Sequence, residues 1–255
     1  MTGYAEWSLR LLRKGVLLSE TYQLFSNWDF DRPVKENLER GITDRQSTRG
    51  WDAEVFSTIR RRIRRWELVH PLIVLARQGM PLSDWRHCLR LWVGATEDPF
   101  HTFALDWLYE ERAHGRAAVR AADLAGFVDD VVGRRGSVLP PVTAYGRVRA
   151  ARDLLKTAGD LGMLQDAGPA RSFANISMSD DVLVYHVRLI AELEGGPGKV
   201  PGSRLWRLAY MNPEEVHLGL LHLHQYRRLD YQVAGSLVQL TLPVRAASEL
   251  AAQVA

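Results

Sequence analysis

Arg60, Arg61, Arg62, Arg64 and Arg65 put five guanidinium groups into six consecutive positions, with no acidic residue among them. A guanidinium fork makes paired, charge-assisted hydrogen bonds to phosphate, so the chemistry expected of this block is polyanion binding. On a helix advancing 100° per residue, Arg60, Arg64, Arg61 and Arg65 fall at about 0, 40, 100 and 140°. Val55, Ile59, Ile63 and Trp66 fall between about 220 and 300° and, with Trp51, form one apolar stripe on the opposite side. Arg62 lies at the edge of that stripe and suits a structural pairing with a carboxylate. The plainer reading is a solvated face balanced by Glu54 and Glu67 at its ends.

Residues 131–152 contain Arg134, Arg135, Arg147, Arg149 and Arg152 and no carboxylate. Thr143 can cap a helix over 144–160 that stops near Gly159 and Gly162. With Val148 as origin, Arg152, Lys156 and Arg149 lie at about 40, 80 and 100°, and Ala151, Leu154, Leu155 and Ala158 at about 240–340°. This separates a core side from a basic side, as a recognition helix in a groove about 12 Å wide requires. Val148, Ala151, Leu155 and Ala158 are expected to hold it to the core. Arg134 and Arg135 are placed in the preceding turn, where side chains reach backbone phosphates. The alternative is an arginine-rich surface used for protein contact. No Asn or Gln accompanies Arg149 and Arg152 on their face, so little base discrimination is expected.

Residue patterns for catalysis are weak by comparison. His222 and His224 point to different helix faces, and with His217 they have no acidic or thiolate partner at metal-site spacing. Cys88 and His87 are adjacent and diverge on a helix, which suits a buried structural thiol better than a nucleophile. Lys156 and Lys199 lack a preceding glycine loop, GRRGSV lacks the dinucleotide-binding spacing, and Asp129-Asp130 and Asp180-Asp181 are simple neighbours. The chain therefore reads as non-enzymatic, without cofactor or metal.

The elements that would carry these groups are mainly helical. The 255 residues are 46% hydrophobic and 25% charged, a globular composition. Only Lys14, Lys35, Lys156 and Lys199 among the 33 basic residues are lysines, a bias that fits nucleic-acid binding and equally a GC-rich coding preference. One cysteine excludes an intrachain disulfide and a multi-thiolate zinc site. No apolar run approaches the roughly 20 residues of a membrane span, and no secretory leader is evident at the start, so a cytoplasmic protein without membrane contact is expected. Residues 4–127 look helical almost throughout, with a loop near 26–33 and Ser83 as a cap for a helix over 82–94.

GRRGS followed by Leu139-Pro140-Pro141 reads as a break, the 144–160 helix follows, and Phe173–Ser177 reads as a short strand beyond a turn at Gly168-Pro169. That order suggests a winged helix-turn-helix. A similar order returns after Gly195-Gly196-Pro197-Gly198, with a helix begun by Asn212-Pro213 and a hairpin around Gly235-Ser236. Glu214 and Glu215 make this second unit a poor phosphate reader, and Val216, Leu218, Leu220, Leu221 and Leu223 predict a helix buried against another unit or subunit. The expected organisation is a helical N-terminal domain over 1–115, a winged-helix-like domain over 116–194 and a small winged-helix-like unit over 199–245.

The segments SLRLLRKGVLLSETYQLF, FSTIRRRIRRW, FVDDVV, PPVTAYGRVRAARDLLKTAGDLGML and FANISM, in this order over residues 4–190, resemble the BrxA family of the bacteriophage exclusion (BREX) defence systems. The most recognisable parts are Ser8 to Glu20, with Gly15, Leu18, Ser19 and Glu20, and the threonine-led helix ending in Gly-Met-Leu. The resemblance implies a small, mainly α-helical, non-enzymatic protein of winged-helix character that binds double-stranded DNA and supports defence against phage. It also implies neighbours: an AAA+ ATPase, a PglZ-like phosphatase-domain protein and an adenine-specific methyltransferase. The family's likeness to the antitermination factor NusB keeps RNA as an alternative ligand. ENLERGITDRQST after Val34 and the tail from 199 depart from the family pattern, so the N-terminal patch transfers less well than the 143–164 element. The competing class is a protein-interaction scaffold without direct DNA binding.

Overall fold

A computed structural model describes residues 5–43, 49–135, 142–167, 170–234 and 237–242. The described residues are mainly helical, with twelve α-helices and seven short strands. They fall into two compact units, each assembled from stretches distant in sequence. Consecutive division at 115 and 194 does not follow these groupings.

The first unit combines the described residues up to Val16 with Val93–Ser177 and Arg207–Tyr210. Strand β1 (Glu6–Trp7) leads into α1 (Leu9–Lys14), capped by the Ser8 hydroxyl, which accepts from the Leu11 N–H at 3.2 Å. Helices α2 (Leu18–Ser26), α3 (Val34–Thr43), α4 (Arg49–Ile63) and α5 (Trp66–Arg77) belong to the second unit, and α6 (Leu82–Thr96) is divided at Trp92. Strand β2 (Glu97–Asp98) pairs in parallel with β1. Next, α7 (Phe100–Thr102) runs through a π-helical stretch, Phe103–Leu108, into α8 (Tyr109–Ala113). Strand β3 (Ala118–Val119) precedes α9 (Ala125–Arg135) and α10 (Ala144–Asp160), and the hairpin of β4 (Leu164–Ala167) and β5 (Ala170–Phe173) closes the series. β3 pairs with β5, so the antiparallel sheet has the order β3-β5-β4. Phe103, Trp107 and Phe127 pack ring on ring in this unit. The Tyr210 hydroxyl donates to the Met163 carbonyl at 3.0 Å, and Arg112 lies over the Tyr210 ring.

The second unit is built on α2 and α5. The half-buried Tyr22 donates to the Met80 carbonyl at 2.6 Å, and the indole N–H of the fully buried Trp85 donates to the Leu72 carbonyl at 2.8 Å, so the polar atoms of both large rings are satisfied. Helix α11 (Asp180–Glu194) contributes an almost wholly buried run from Val182 to Ala191. Asn212 and Glu215 form a reciprocal cap at the start of α12 (Pro213–Gln225), and β6 (Asp230–Ala234) pairs with β7 (Leu237–Thr241).

Several expectations change. The α4 stripe is observed at Val55, Ile59 and Ile63, but the helix ends there, and Arg64 and Arg65 form the turn before α5. Trp66 instead opens α5 and packs against Trp28 and His70. Gly133, Arg134 and Arg135 do not form a turn; they are the last turn of α9. One glycine costs only about 1 kcal/mol in a helix, and cations suit a helix C-terminus. Residues 136–141 lie outside the described residues. The strand after the turn is Ala170–Phe173, not Phe173–Ser177, because the register runs from Ala167↔Ala170 to Leu164↔Phe173. Ser83 lies inside α6, since Asp84 and Trp85 already donate to the Pro81 carbonyl.

Helix α12 is not apolar all round. Val216, Leu220 and Leu223 form its buried stripe, Leu218 is 58% exposed and Leu221 is half-buried. Gly219 brings α12 close to Leu183 of α11 within the same unit. The i, i+4, i+7 stripe is therefore satisfied internally, and burial of this whole helix against another subunit is not required.

Candidate nucleic-acid interface

Helix α10 is defined at both ends by local chemistry. The Thr143 hydroxyl accepts from the Gly146 N–H at 3.1 Å. At the other end Gly162 takes φ +71°, its N–H donates to the Gly159 carbonyl, and the Met163 N–H reaches back to the Ala158 carbonyl at 2.8 Å. This double bond pattern ends the helix and turns the chain directly into β4. Ala150, Ala151, Leu154, Leu155 and Ala158 are buried and fix the helix to its unit. Val148, expected to help, is 51% exposed. The buried residues centre about 90° from it, so Val148 is where the core side gives way to solvent.

The outward stripe of α10 consists of Tyr145, Val148, Arg149, Arg152 and Lys156, all exposed. At 100° per residue they fall within about 100° of one another. Two of these cations have carboxylate partners one turn along the same helix, and Arg147 beside the stripe reaches another helix. Arg147 donates to Asp129 of α9 at 2.7 Å, Arg149 lies 3.8 Å from Asp153, and Lys156 donates to Asp160 at 2.7 Å. Arg152 has no ion pair among the described residues. Arg147 thus faces α9, and Lys156 sits beside Gly15 at the far end of the stripe. Arg134 and Arg135 are in α9, and their side chains lie outside the described residues.

Asp153 is the hub of this surface. Burial raises its carboxyl above the ordinary range, while Arg149, Arg13 and Lys156 pull it partly back. Arg13, on α1, is the basic residue that sequence reading missed. The signal was present in LRLLRK, where Leu11 and Leu12 are buried and Arg10 and Arg13 are exposed. What the sequence lacked was that α1 packs on α10.

The second cluster is less uniform than the helical wheel implied. Arg60 and Arg64 are exposed and make no ion pair among the described residues. Arg61 and Arg65 are half-buried and partnered, and Arg62 is 6% exposed, in keeping with a structural role. Because α4 stops at Ile63, Arg60 and Arg61 are helical and Arg64 and Arg65 are not.

The histidines of the C-terminal segment have separate partners. His217 contacts the Tyr231 hydroxyl, His222 pairs with Asp180 at 2.9 Å, and His224 lies 3.3 Å from Asp230. No group of three or more His, Cys, Asp or Glu with metal-holding geometry occurs among the described residues. Cys88 is fully buried, and burial pushes its thiol far up, away from the reactive thiolate. No helix among the described residues is long and apolar enough to cross a membrane. Comparisons with protein-family models, with curated proteins and with solved structures give no match.

Proposed function

We propose that the protein is a non-enzymatic, winged-helix-like double-stranded DNA-binding component of a BREX-type defence system. The observation that carries the DNA-binding reading is the exposed basic stripe of α10, held at the edge of a β3-β5-β4 sheet whose hairpin follows the helix directly. In a winged helix the strand before the helix pair likewise lies beside the last strand, and the hairpin forms the wing next to the groove-entering helix. The defence role rests on the sequence resemblance alone, as do the ATPase, PglZ-like and methyltransferase partners and the cytoplasmic location.

Binding to non-specific duplex DNA, titrated with salt, tests the reading. Affinity should fall steeply with salt, because each phosphate contact releases a counterion. Undetectable binding at about 50 mM salt would overturn it, and stronger binding to RNA of equal length would favour the NusB-like alternative. The ion pairs of Arg147, Arg149 and Lys156 are the observation favouring a protein-interaction scaffold, since a neutralised surface attracts phosphate less.

These pairs give a prediction of opposite sign to a simple loss. Asp153→Asn should raise duplex affinity about three- to tenfold at 0.1 M salt, the scale of one added phosphate contact. The fold should tolerate the change, because Asp153 Oδ2 is buried without a hydrogen bond. Fluorescence anisotropy with labelled duplex measures the effect, and an unchanged or weaker affinity in a folded variant would argue for the scaffold.

A further inference from the structure

Two exposed apolar side chains interrupt the basic stripe. Tyr145 is 73% and Val148 51% exposed, and their i, i+3 spacing makes them neighbours on α10. Leu218 on α12 and Tyr226 at its C-cap are also exposed, at 58% and 64%, but lie eight positions apart. The surroundings differ in charge. Leu218 shares α12 with Glu214 and Glu215, and His222 between Leu218 and Tyr226 holds Asp180. The α10 pair is followed by Arg149 and Arg152 on the same face. An apolar surface framed by guanidinium groups complements a ligand that carries small apolar groups beside phosphate.

The major groove of DNA is such a surface, because each thymine projects a 5-methyl group between the phosphate rows. We propose that Val148, flanked by Tyr145, is a specificity-determining contact to thymine methyl groups, with Arg149 and Arg152 anchoring the adjacent phosphates. This inference rests on the DNA-binding reading above. The branched Val148 side chain has no donor or acceptor, so it cannot read base-edge hydrogen bonds. It can exclude water from a methyl group, and that contact is lost on the otherwise equivalent uracil. RNA, which carries uracil, is disfavoured at the same position.

The test compares one duplex of thymine-containing DNA with the same duplex carrying deoxyuridine at every thymine, using the full chain at fixed salt. Charge and phosphate number are identical, so the affinity ratio isolates the methyl groups. The parent should bind the thymine duplex about fourfold more tightly, the scale of burying one methyl-sized group. Val148→Ser should bring the ratio to about one and leave the salt dependence unchanged, whereas Val148→Ile should retain the preference. A ratio of one in a parent that binds duplex DNA overturns this inference alone. A preference that survives in Val148→Ser also overturns it, and absence of duplex binding overturns the DNA-binding reading as well.

Discussion

Stability should drop by about 4 kcal/mol between pH 7 and pH 5, an effect expected from two buried histidines of the second unit. His186 is fully buried. Its Nδ1 is hydrogen-bonded to the Val182 carbonyl at 2.8 Å and its ring stacks on Trp206, while Nε2 has no hydrogen-bond partner among the described residues. His87 is 8% exposed, with Nδ1 in the same condition. Burial lowers both rings to about 3; Arg90 adds to each shift, Arg86 to that of His87, and His87 to that of His186. Both are neutral when folded and bind protons near pH 6.5 when unfolded. The unfolded state therefore holds more protons below that value, and stability falls with pH by about 1.4 kcal/mol per unit for each histidine down to about 3. The raised carboxyl of Asp153 acts in the opposite direction. Denaturant unfolding at pH 7, 6 and 5 measures the slope. Equal stability at pH 7 and pH 5 in the parent would refute the assignment, and His186→Gln, if it folds, should flatten the dependence by about half.

The double variant Arg149→Gln, Arg152→Gln should lower duplex affinity by up to about 100-fold at 0.1 M salt and reduce the salt slope by roughly two. Arg152 should account for most of this. It has no ion pair among the described residues, whereas Arg149 gives up its contact with Asp153 to reach phosphate. Arg147→Gln is the matched control, since Arg147 is tied to Asp129 on α9 and should change affinity little. Both substituted positions are exposed, so the melting temperature should stay close to the parent's, within about 0.5 kcal/mol of stability. A stable double variant with the parent's affinity and salt slope would remove α10 from the interface, even if binding persisted through Arg60 and Arg64.

Local chemistry made α10 legible in the sequence. Thr143, Gly162 and the Ala151, Leu154, Leu155, Ala158 stripe depend only on neighbouring residues, and they give the bounds Ala144–Asp160 that the helix has. Asn212-Pro213 and the loop between α2 and α3 were readable for the same reason. Burial was set by partners far along the chain, as was the Arg147–Asp129 pair, whereas Arg149–Asp153 and Lys156–Asp160 are i, i+4 neighbours on α10. Nothing near Leu17 announces that the chain enters a second unit that recruits α11 and α12, and nothing near Val119 announces its pairing with Arg171. The stretch 131–152 contains no acid, yet Asp129 and Asp153 just outside it pair with Arg147 and Arg149, and Asp160 pairs with Lys156 further along the same helix. Helix α4 ends at Ile63, and Trp66 beyond it packs on Trp28, a residue 38 positions earlier. Sequence periodicity fixes which side of a helix is apolar, because that depends on rotation about its own axis. Which apolar and charged groups then face solvent depends on the elements that pack alongside, and only the tertiary structure decided that for Val148, Arg147 and Leu218.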